Sequence, residues 1–132
     1  MTLRLSAGSV LPMGFSAIGK AYLASQQPDR RRKLMIQLRR QAGDRASALV
    51  QDVEAGKREY QRYGYCSAFD GVQKNTFGIA VPIAYGQDRD TLSLSCGGAR
   101  LRMNKLDLRR KIAPALLRTA EEIREAAADL ES

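Results

Sequence analysis

Histidine and tryptophan are both absent from this chain of 132 residues. Without an imidazole, the chain cannot build a Ser-His-Asp or Cys-His nucleophile, an imidazole metal site or the usual general base near neutral pH. Its two cysteines, Cys66 and Cys96, are too far apart for a CxxC redox pair or a local thiolate zinc site. We therefore expect no catalytic residues, no metal and no cofactor. Both cysteines should be reduced, mostly buried thiols.

Long apolar runs are also missing. The longest, residues 77–85, is far shorter than the roughly 20 residues that a membrane span requires. Arg4, Ser6, Gly8 and Pro12 stand where a signal peptide would need an apolar region. We expect a soluble, cytoplasmic protein with no membrane partner. The length favours one domain over residues 1–132, in which residues 1–9 form a lead-in segment.

Positive charge is in excess, because 22 lysines and arginines face 14 acidic residues and give a net charge of +8. Nucleic acids and acidic ligands are therefore admissible partners. Much of the excess lies between Arg30 and Arg45, which we interpret as either a phosphate-binding face or a solvated helix surface. No aromatic residue is interleaved with these cations, which favours the solvated surface.

Capping residues and apolar spacing predict three helices in the first half of the chain. Ser16 offers an N-cap to a helix over residues 17–25. Pro28 begins a second helix, which Gly43 ends, and a third helix is predicted over residues 52–63.

The second half favours a small sheet and a final helix. Strands are predicted over residues 65–68, 76–85 and 91–96, with turns at Asp70-Gly71 and residues 87–90. Pro82 indicates an edge position or a bulge, and Gly97-Gly98 should break the last strand. Asn104 and Asp107 form a capping box for the last helix, which Pro114 should kink or begin. This order predicts an α+β fold.

Residues 14–21 fit the phosphate-loop pattern except at the last position. Ala21 has no hydroxyl for magnesium, and Pro12 disfavours the preceding strand, so a nucleotide hydrolase is disfavoured. What remains is a helix N-terminus that suits a carboxylate, or an ordinary capped helix packed on a sheet. Ser93 and Ser95 share one face of their strand and either line a cavity or face water.

Seven short motifs occur in a characteristic order along the chain. They are Leu11-Pro12-Met13, Ser16, Gly19-Lys20-Ala21, Leu23-Ala24, Tyr63-Gly64-Tyr65, Ile79-Ala80-Val81-Pro82-Ile83 and Leu94-Ser95-Cys96-Gly97-Gly98. From about Val10 to Leu130, the chain resembles the C-terminal effector-binding domain of IclR-family bacterial transcriptional regulators.

The resemblance implies a GAF-like or profilin-like fold, in which helices flank a curved antiparallel sheet and a small-molecule effector lies on the sheet. Members of the family act as dimers or tetramers and bind operator DNA through an N-terminal winged-helix domain. This chain lacks the winged-helix domain and, on the same comparison, the first strands of the effector domain. We therefore expect an excised fragment or the product of a shortened reading frame. Its exposed sheet edge should favour self-association.

The resemblance also implies which residues bind the ligand. Carried over by position, they are Leu11, Met13, Ala17, Ile18, Ala68, Thr76, Gly78, Ser95 and Gly97. The family usually has Asp or Ser at the place of Ala68, and Cys, Ser or Ala at that of Gly78. Losing these polar groups predicts a larger and more apolar pocket. The expected effector is a small organic acid, with an aromatic acid preferred over a small keto acid.

Two other functions compete with effector sensing. One is a small basic nucleic-acid-binding protein that uses the face between Arg30 and Arg45. The other is an enzyme with Cys66 or Cys96 as nucleophile, which the absence of histidine disfavours.

Overall fold

The structure, a computed structural model, describes residues 12–71, 73–86 and 90–131. The lead-in segment predicted for residues 1–9 and most of the turn predicted for residues 87–90 lie outside the described residues. Among the described helices, none combines the length and the apolar character that crossing a membrane would need.

The described chain forms helices on both sides of one antiparallel sheet, which confirms the predicted α+β class. The helices before the sheet are α1 (Ala17–Ser25), α2 (Pro28–Ala42) and α3 (Ala46–Tyr63), with a 3-10 turn at Gly43–Arg45. The strands are β1 (Cys66–Phe69), β2 (Thr76–Tyr85) and β3 (Asp90–Ala99), in the order β1-β2-β3. The last helical region comprises α4 (Lys105–Asp107), a π-helical segment (Leu108–Ile112) and α5 (Ala113–Glu131).

The two faces of the sheet carry different side chains. Ile79, Val81 and Ile83 of β2 point to one face and form the main core with residues of the last helical region, including Leu108 and Leu116. The opposite face carries small residues and packs against α1. Because side chains alternate along a strand, the large residues bind the sheet to α5 while the small ones leave room on the α1 side.

Several predicted boundaries agree with the structure because local signals set them. Helix α1 spans residues 17–25, and α2 begins at Pro28 and ends at Gly43, whose φ is +57°. The capping box at Asn104 and Asp107 is present. Helix α3, in contrast, begins six residues before the predicted start, because the turn at Gly43–Arg45 leads directly into it and Leu49 is buried.

The prediction that Gly97-Gly98 breaks the last strand is wrong. Strand β3 continues to Ala99, and the glycines pair with Gly78 and Phe77 of β2. A Cβ at Gly98 would lie 3.4 Å from the Phe77 ring. An added Cβ would thus make only an ordinary van der Waals contact with the ring, and the glycines continue a regular ladder.

Pro82 lies in the central strand, yet it behaves as the predicted edge position. The first residue of β1, Cys66, pairs with Ala80, so the part of β2 that follows Ala80 pairs only with β3. The Pro82 carbonyl oxygen accepts a hydrogen bond from the Arg124 guanidinium (2.9 Å), so it points away from β3. Since the amide N and C=O of one strand residue point to the same side, the donor that proline lacks would face this open side.

Pro114 marks a change in the last helical region. The amide of Ala113 donates to the carbonyl oxygen of Leu108, five residues earlier, which is the bond of a π-helix. Because Pro114 cannot donate to the carbonyl four residues before it, the chain widens locally and then continues as α5. Among the apolar residues of this region, Leu108 and Leu116 are buried, whereas Ile123 and Leu130 are exposed.

The two cysteines have different environments. Cys66 is fully buried, and its thiol donates to the carbonyl oxygen of Gly56 (3.2 Å). Cys96 is exposed, so the prediction that both are buried is wrong for this residue. It lies on the outer strand β3, whereas α5 packs mainly on β2.

Candidate ligand-binding site

The entrance of α1 is organised by Ser16. Its buried hydroxyl accepts the Gly19 amide (3.0 Å), and its carbonyl oxygen accepts the Lys20 amide (3.0 Å). The amides of Ala17 and Ile18 take part in none of the hydrogen bonds formed among the described residues. These two donors, at the positive end of the helix dipole, suit a carboxylate.

The chain leading into α1 is held by two close approaches to glycine. A Cβ at Gly19 would lie 1.8 Å from the carbonyl oxygen of Met13, and a Cβ at Gly71 would lie 2.1 Å from that of Phe15. Only glycine fits at either position without moving backbone. The loop over residues 12–15 is therefore clamped between α1 and the β1–β2 turn, which fixes the side chains of Met13 and Phe15 near the helix entrance.

The sheet below α1 is made of small residues in register. Ala68, Gly78 and Gly97 stand opposite one another across the three strands, and Ser95 follows on β3 opposite Ala80. Ala17 covers Gly78 directly, since a Cβ at Gly78 would be 3.4 Å from the Ala17 Cβ. The structure thus brings five of the predicted residues together.

Beside this floor, a cavity of about 360 Å³ lies between α1 and β3. Met13 and Ile18, both predicted, line it. Its other lining residues are Ser16, Gly19, Tyr22, Thr91, Leu92 and Ser93. Ser93 stands two residues before Ser95 on the same face of β3. The alternation of serines in the sequence is therefore the signal that could have identified Ser93 as a lining residue.

Not all of the predicted residues face this cavity. Thr76 is buried at the start of β2, and its hydroxyl donates to the carbonyl oxygen of Gln73 rather than facing the cavity. Ala68 lines a different cavity on the opposite side of α1. Leu11 lies outside the described residues. Ser95 and Gly97 are exposed among the described residues, so the floor is covered by α1 only in part.

The basic helix α2 has no buried residue, but several of its cations have intramolecular partners. Arg31 donates to the carbonyl oxygens of Ala24 (3.5 Å) and Gln26 (3.2 Å) at the C-terminus of α1. Arg32 pairs with Asp29 at 2.7 Å. These contacts join α2 to α1 and leave fewer free cations than the sequence indicates.

A family model described as "Bacterial transcriptional regulator IclR C-terminal" matches residues 1–125. The chain belongs to the IclR family. It corresponds to the C-terminal domain of these transcriptional regulators. The HTH-type transcriptional regulator TsaQ1/TsaQ2 of Comamonas testosteroni is 24% identical over 123 residues, which are 93% of this chain and 44% of that protein.

Solved structures of IclR-family regulators share the fold. A regulator from Brucella abortus superposes with a TM-score of 0.85 at 25% identity, covering 93% of this chain and 46% of that chain. The inducer-binding domain of a PobR double mutant from Acinetobacter, in complex with 3-hydroxybenzoic acid, gives a TM-score of 0.64 at 19% identity, covering 92% and 72%. The IclR-family chain described here therefore spans about half the length of the full regulators that it matches.

Within this IclR domain, the cysteines differ in their chemistry as well as in exposure. Burial, together with the nearby carboxylate of Glu59, raises the pKa of the Cys66 thiol to about 12, against the opposing effect of the Lys20 charge. A thiol of such high pKa is protonated near neutral pH, which does not suit a nucleophile.

Proposed function

We propose that this domain senses a small organic carboxylate, and that the ligand occupies the cavity between α1 and β3. The observation that carries this proposal is the pair of amides at Ala17 and Ile18, which have no hydrogen-bond partner among the described residues, beside a cavity of about 360 Å³. The volume falls in the usual range for small-molecule sites, about 300–1,000 Å³. The ligand carboxylate would accept hydrogen bonds from the two amides, with Ser93 or Ser95 adding a hydroxyl.

An aromatic acid fits the walls better than a small keto acid does. Met13 and Ile18 supply apolar surface, and neither Ala68 nor Gly78 offers a hydrogen-bonding side chain. A keto acid with a short carbon skeleton exposes mainly polar atoms, which need partners when they are buried. The complex of the PobR domain with 3-hydroxybenzoic acid supports this choice, since that domain has the same fold.

In a full regulator, the effector would act by changing populations of the assembly. A ligand that binds one arrangement of a dimer or tetramer better shifts the equilibrium toward it. In a regulator that also carries a winged-helix domain, this shift would change the affinity of that domain for operator DNA. Coupling free energies of about 1–3 kcal/mol are sufficient for such regulation.

The proposal is tested by calorimetric titration of the domain with 3-hydroxybenzoate and with glyoxylate. We expect binding of the aromatic acid and little heat from glyoxylate. Tight glyoxylate binding with no response to the aromatic acid would reverse the proposed preference.

A pair of matched variants tests the location of the site. Ile18→Glu places a carboxylate in the cavity and should weaken 3-hydroxybenzoate binding at least tenfold through charge repulsion. Ile36→Glu, at an isoleucine that is 53% exposed on α2, makes the same chemical change away from the cavity and should leave binding unchanged. Equal affinities of both variants and the unmodified domain would show that the ligand binds elsewhere.

A further inference from the structure

A second cavity, of about 450 Å³, lies between α1, α3 and β1, on the other side of α1 from the proposed effector site. Lys20 lines it although the residue is only 8% exposed. The aliphatic part of Lys20 crosses α3 at Gly56, where an added Cβ would lie 3.0 Å from the lysine Cδ. The side chain thus passes through the packed layer and ends in the cavity.

The ammonium group of Lys20 makes no hydrogen bond or ion pair with any described residue. The nitrogen is nevertheless accessible, because no fully buried side-chain nitrogen or oxygen of the described residues lacks a hydrogen-bond partner. The residue is therefore buried along its aliphatic stem, and its charged end opens into the cavity. Burial lowers the pKa of Lys20 below its ordinary value, opposed by the charges of Asp52, Cys66 and Glu59, while Lys105 lowers the pKa further. The effect of Lys105 indicates that a second cation is close to the first.

Two further cations line the same cavity without an anionic partner among the described residues. The guanidinium of Arg45 lies 4.2 Å from the centre of the Phe15 ring, so one face is occupied while its N–H edge is available. Lys105 also faces the cavity and is exposed. The cavity therefore has three unpaired cations: Lys20, Arg45 and Lys105.

Two of the three carboxylates that line the cavity accept hydrogen bonds from groups other than these three cations. The Glu59 carboxylate accepts the amide and the hydroxyl of Ser67, each at 2.7 Å. Asp70 accepts the Asn75 amide and pairs with Arg100 at 3.3 Å. Of the three carboxylates that line the cavity, only Asp52 lacks a hydrogen-bond partner among the described residues.

We propose that this cavity binds a small dianion, of the phosphate or dicarboxylate type, through Lys20 with Arg45 and Lys105. Such an ion supplies an anionic partner for the Lys20 ammonium in the cavity and relieves the repulsion between Lys20 and Lys105. The site is independent of the proposed effector site, because Ile18 and Lys20 reach different cavities on opposite sides of the same helix.

The test is titration of the full chain with inorganic phosphate and with succinate, each at constant ionic strength set with sodium chloride. We expect saturable binding of at least one dianion by calorimetry and a rise in melting temperature that chloride does not produce. Phosphate alone identifies the phosphate class, and succinate alone identifies the dicarboxylate class. Dianions that act only as chloride does would overturn the proposal.

Three lysine variants make the test specific. Lys20→Met keeps the aliphatic stem across Gly56 and should weaken dianion binding at least tenfold. Lys105→Met, at an exposed residue, should weaken it several-fold and serves if the buried substitution fails to fold. Lys33→Met, at an exposed lysine of α2, should have no effect. Unchanged affinity in Lys105→Met and in a folded Lys20→Met would refute the site, whereas 3-hydroxybenzoate binding tests the effector site separately.

Discussion

Replacing Gly19 by alanine tests the contact that holds the α1 entrance in place. Alanine is favoured over glycine in a helix interior by about 1 kcal/mol. At Gly19, however, the added Cβ would lie 1.8 Å from the Met13 carbonyl oxygen, and that oxygen belongs to the backbone. Carbon and oxygen approach to about 3.3 Å at best, so the loop must move by more than about 1 Å. Overpacking of this kind costs up to about 3 kcal/mol.

The net expectation is a loss of about 2 kcal/mol in the free energy of unfolding, which is the steric cost less the gain in helix propensity. Urea denaturation followed by far-ultraviolet circular dichroism measures this, with an unchanged slope indicating an unchanged unfolded state. Because the moved loop carries Met13, 3-hydroxybenzoate binding should weaken in the same variant.

Gly56→Ala is the matched control, since it makes the same change inside another helix. There the added Cβ would meet the Lys20 Cδ at 3.0 Å, and a flexible side chain can shift where backbone cannot. The steric cost and the gain in propensity should nearly cancel, leaving a change within about 0.5 kcal/mol. Our reasoning is refuted if Gly19→Ala is as stable as the unmodified protein, or if both variants lose stability equally.

Other predictions concern the cysteines and the last helix. At pH 8, Ellman's reagent should modify Cys96 rapidly and Cys66 only after unfolding. The Cys96→Ser variant should lack the rapid phase of the reaction. Two thiols that react equally fast in the folded protein would contradict this prediction. The thiol of Cys66 has a pKa of about 12 in the folded protein, whereas an unfolded thiol ionises near pH 9. Between these two pH values the unfolded state binds fewer protons, so the free energy of unfolding falls as the pH rises. In urea titrations at several pH values, Cys66→Ala should show a smaller decline of the free energy of unfolding with pH. The control variant Cys96→Ala should keep the full decline, and equal declines in both variants would contradict the prediction. Arg124→Met removes the hydrogen bond to Pro82 and should cost about 1 kcal/mol, and Arg118→Met, at an exposed position, should cost nearly nothing by the same assay.

Sequence alone predicted those elements whose ends are set by neighbouring residues. The Ser16 cap, Pro28 at the start of a helix and the positive φ of Gly43 and Gly64 are local effects, so the helix boundaries that depend on them could be predicted. The start of α3 was missed because only tertiary burial of Leu49 distinguishes that turn from a loop.

The glycines of β3 could not be interpreted without the partner strand. In sequence, Gly97-Gly98 is typical of a break, and only the pairing with Gly78 and Phe77 of β2 shows that both residues continue the strand. The candidate site shows the same limit. Motif order predicted the residues around α1, but the separation of Ile18 and Lys20 into two cavities depends on how α1 is rotated between α3 and the sheet.

The carboxylate of Glu59 has a consequence for how this sheet can associate. It holds the outward amide of Ser67, so an incoming strand would find the β1 side already taken by an acidic group. Among the described residues, only β3 offers a margin for further pairing. A sheet that can pair along only one of its edges joins one other copy, and no free edge then remains for a third. Association by strand addition would therefore stop at a symmetric pair instead of propagating into fibres.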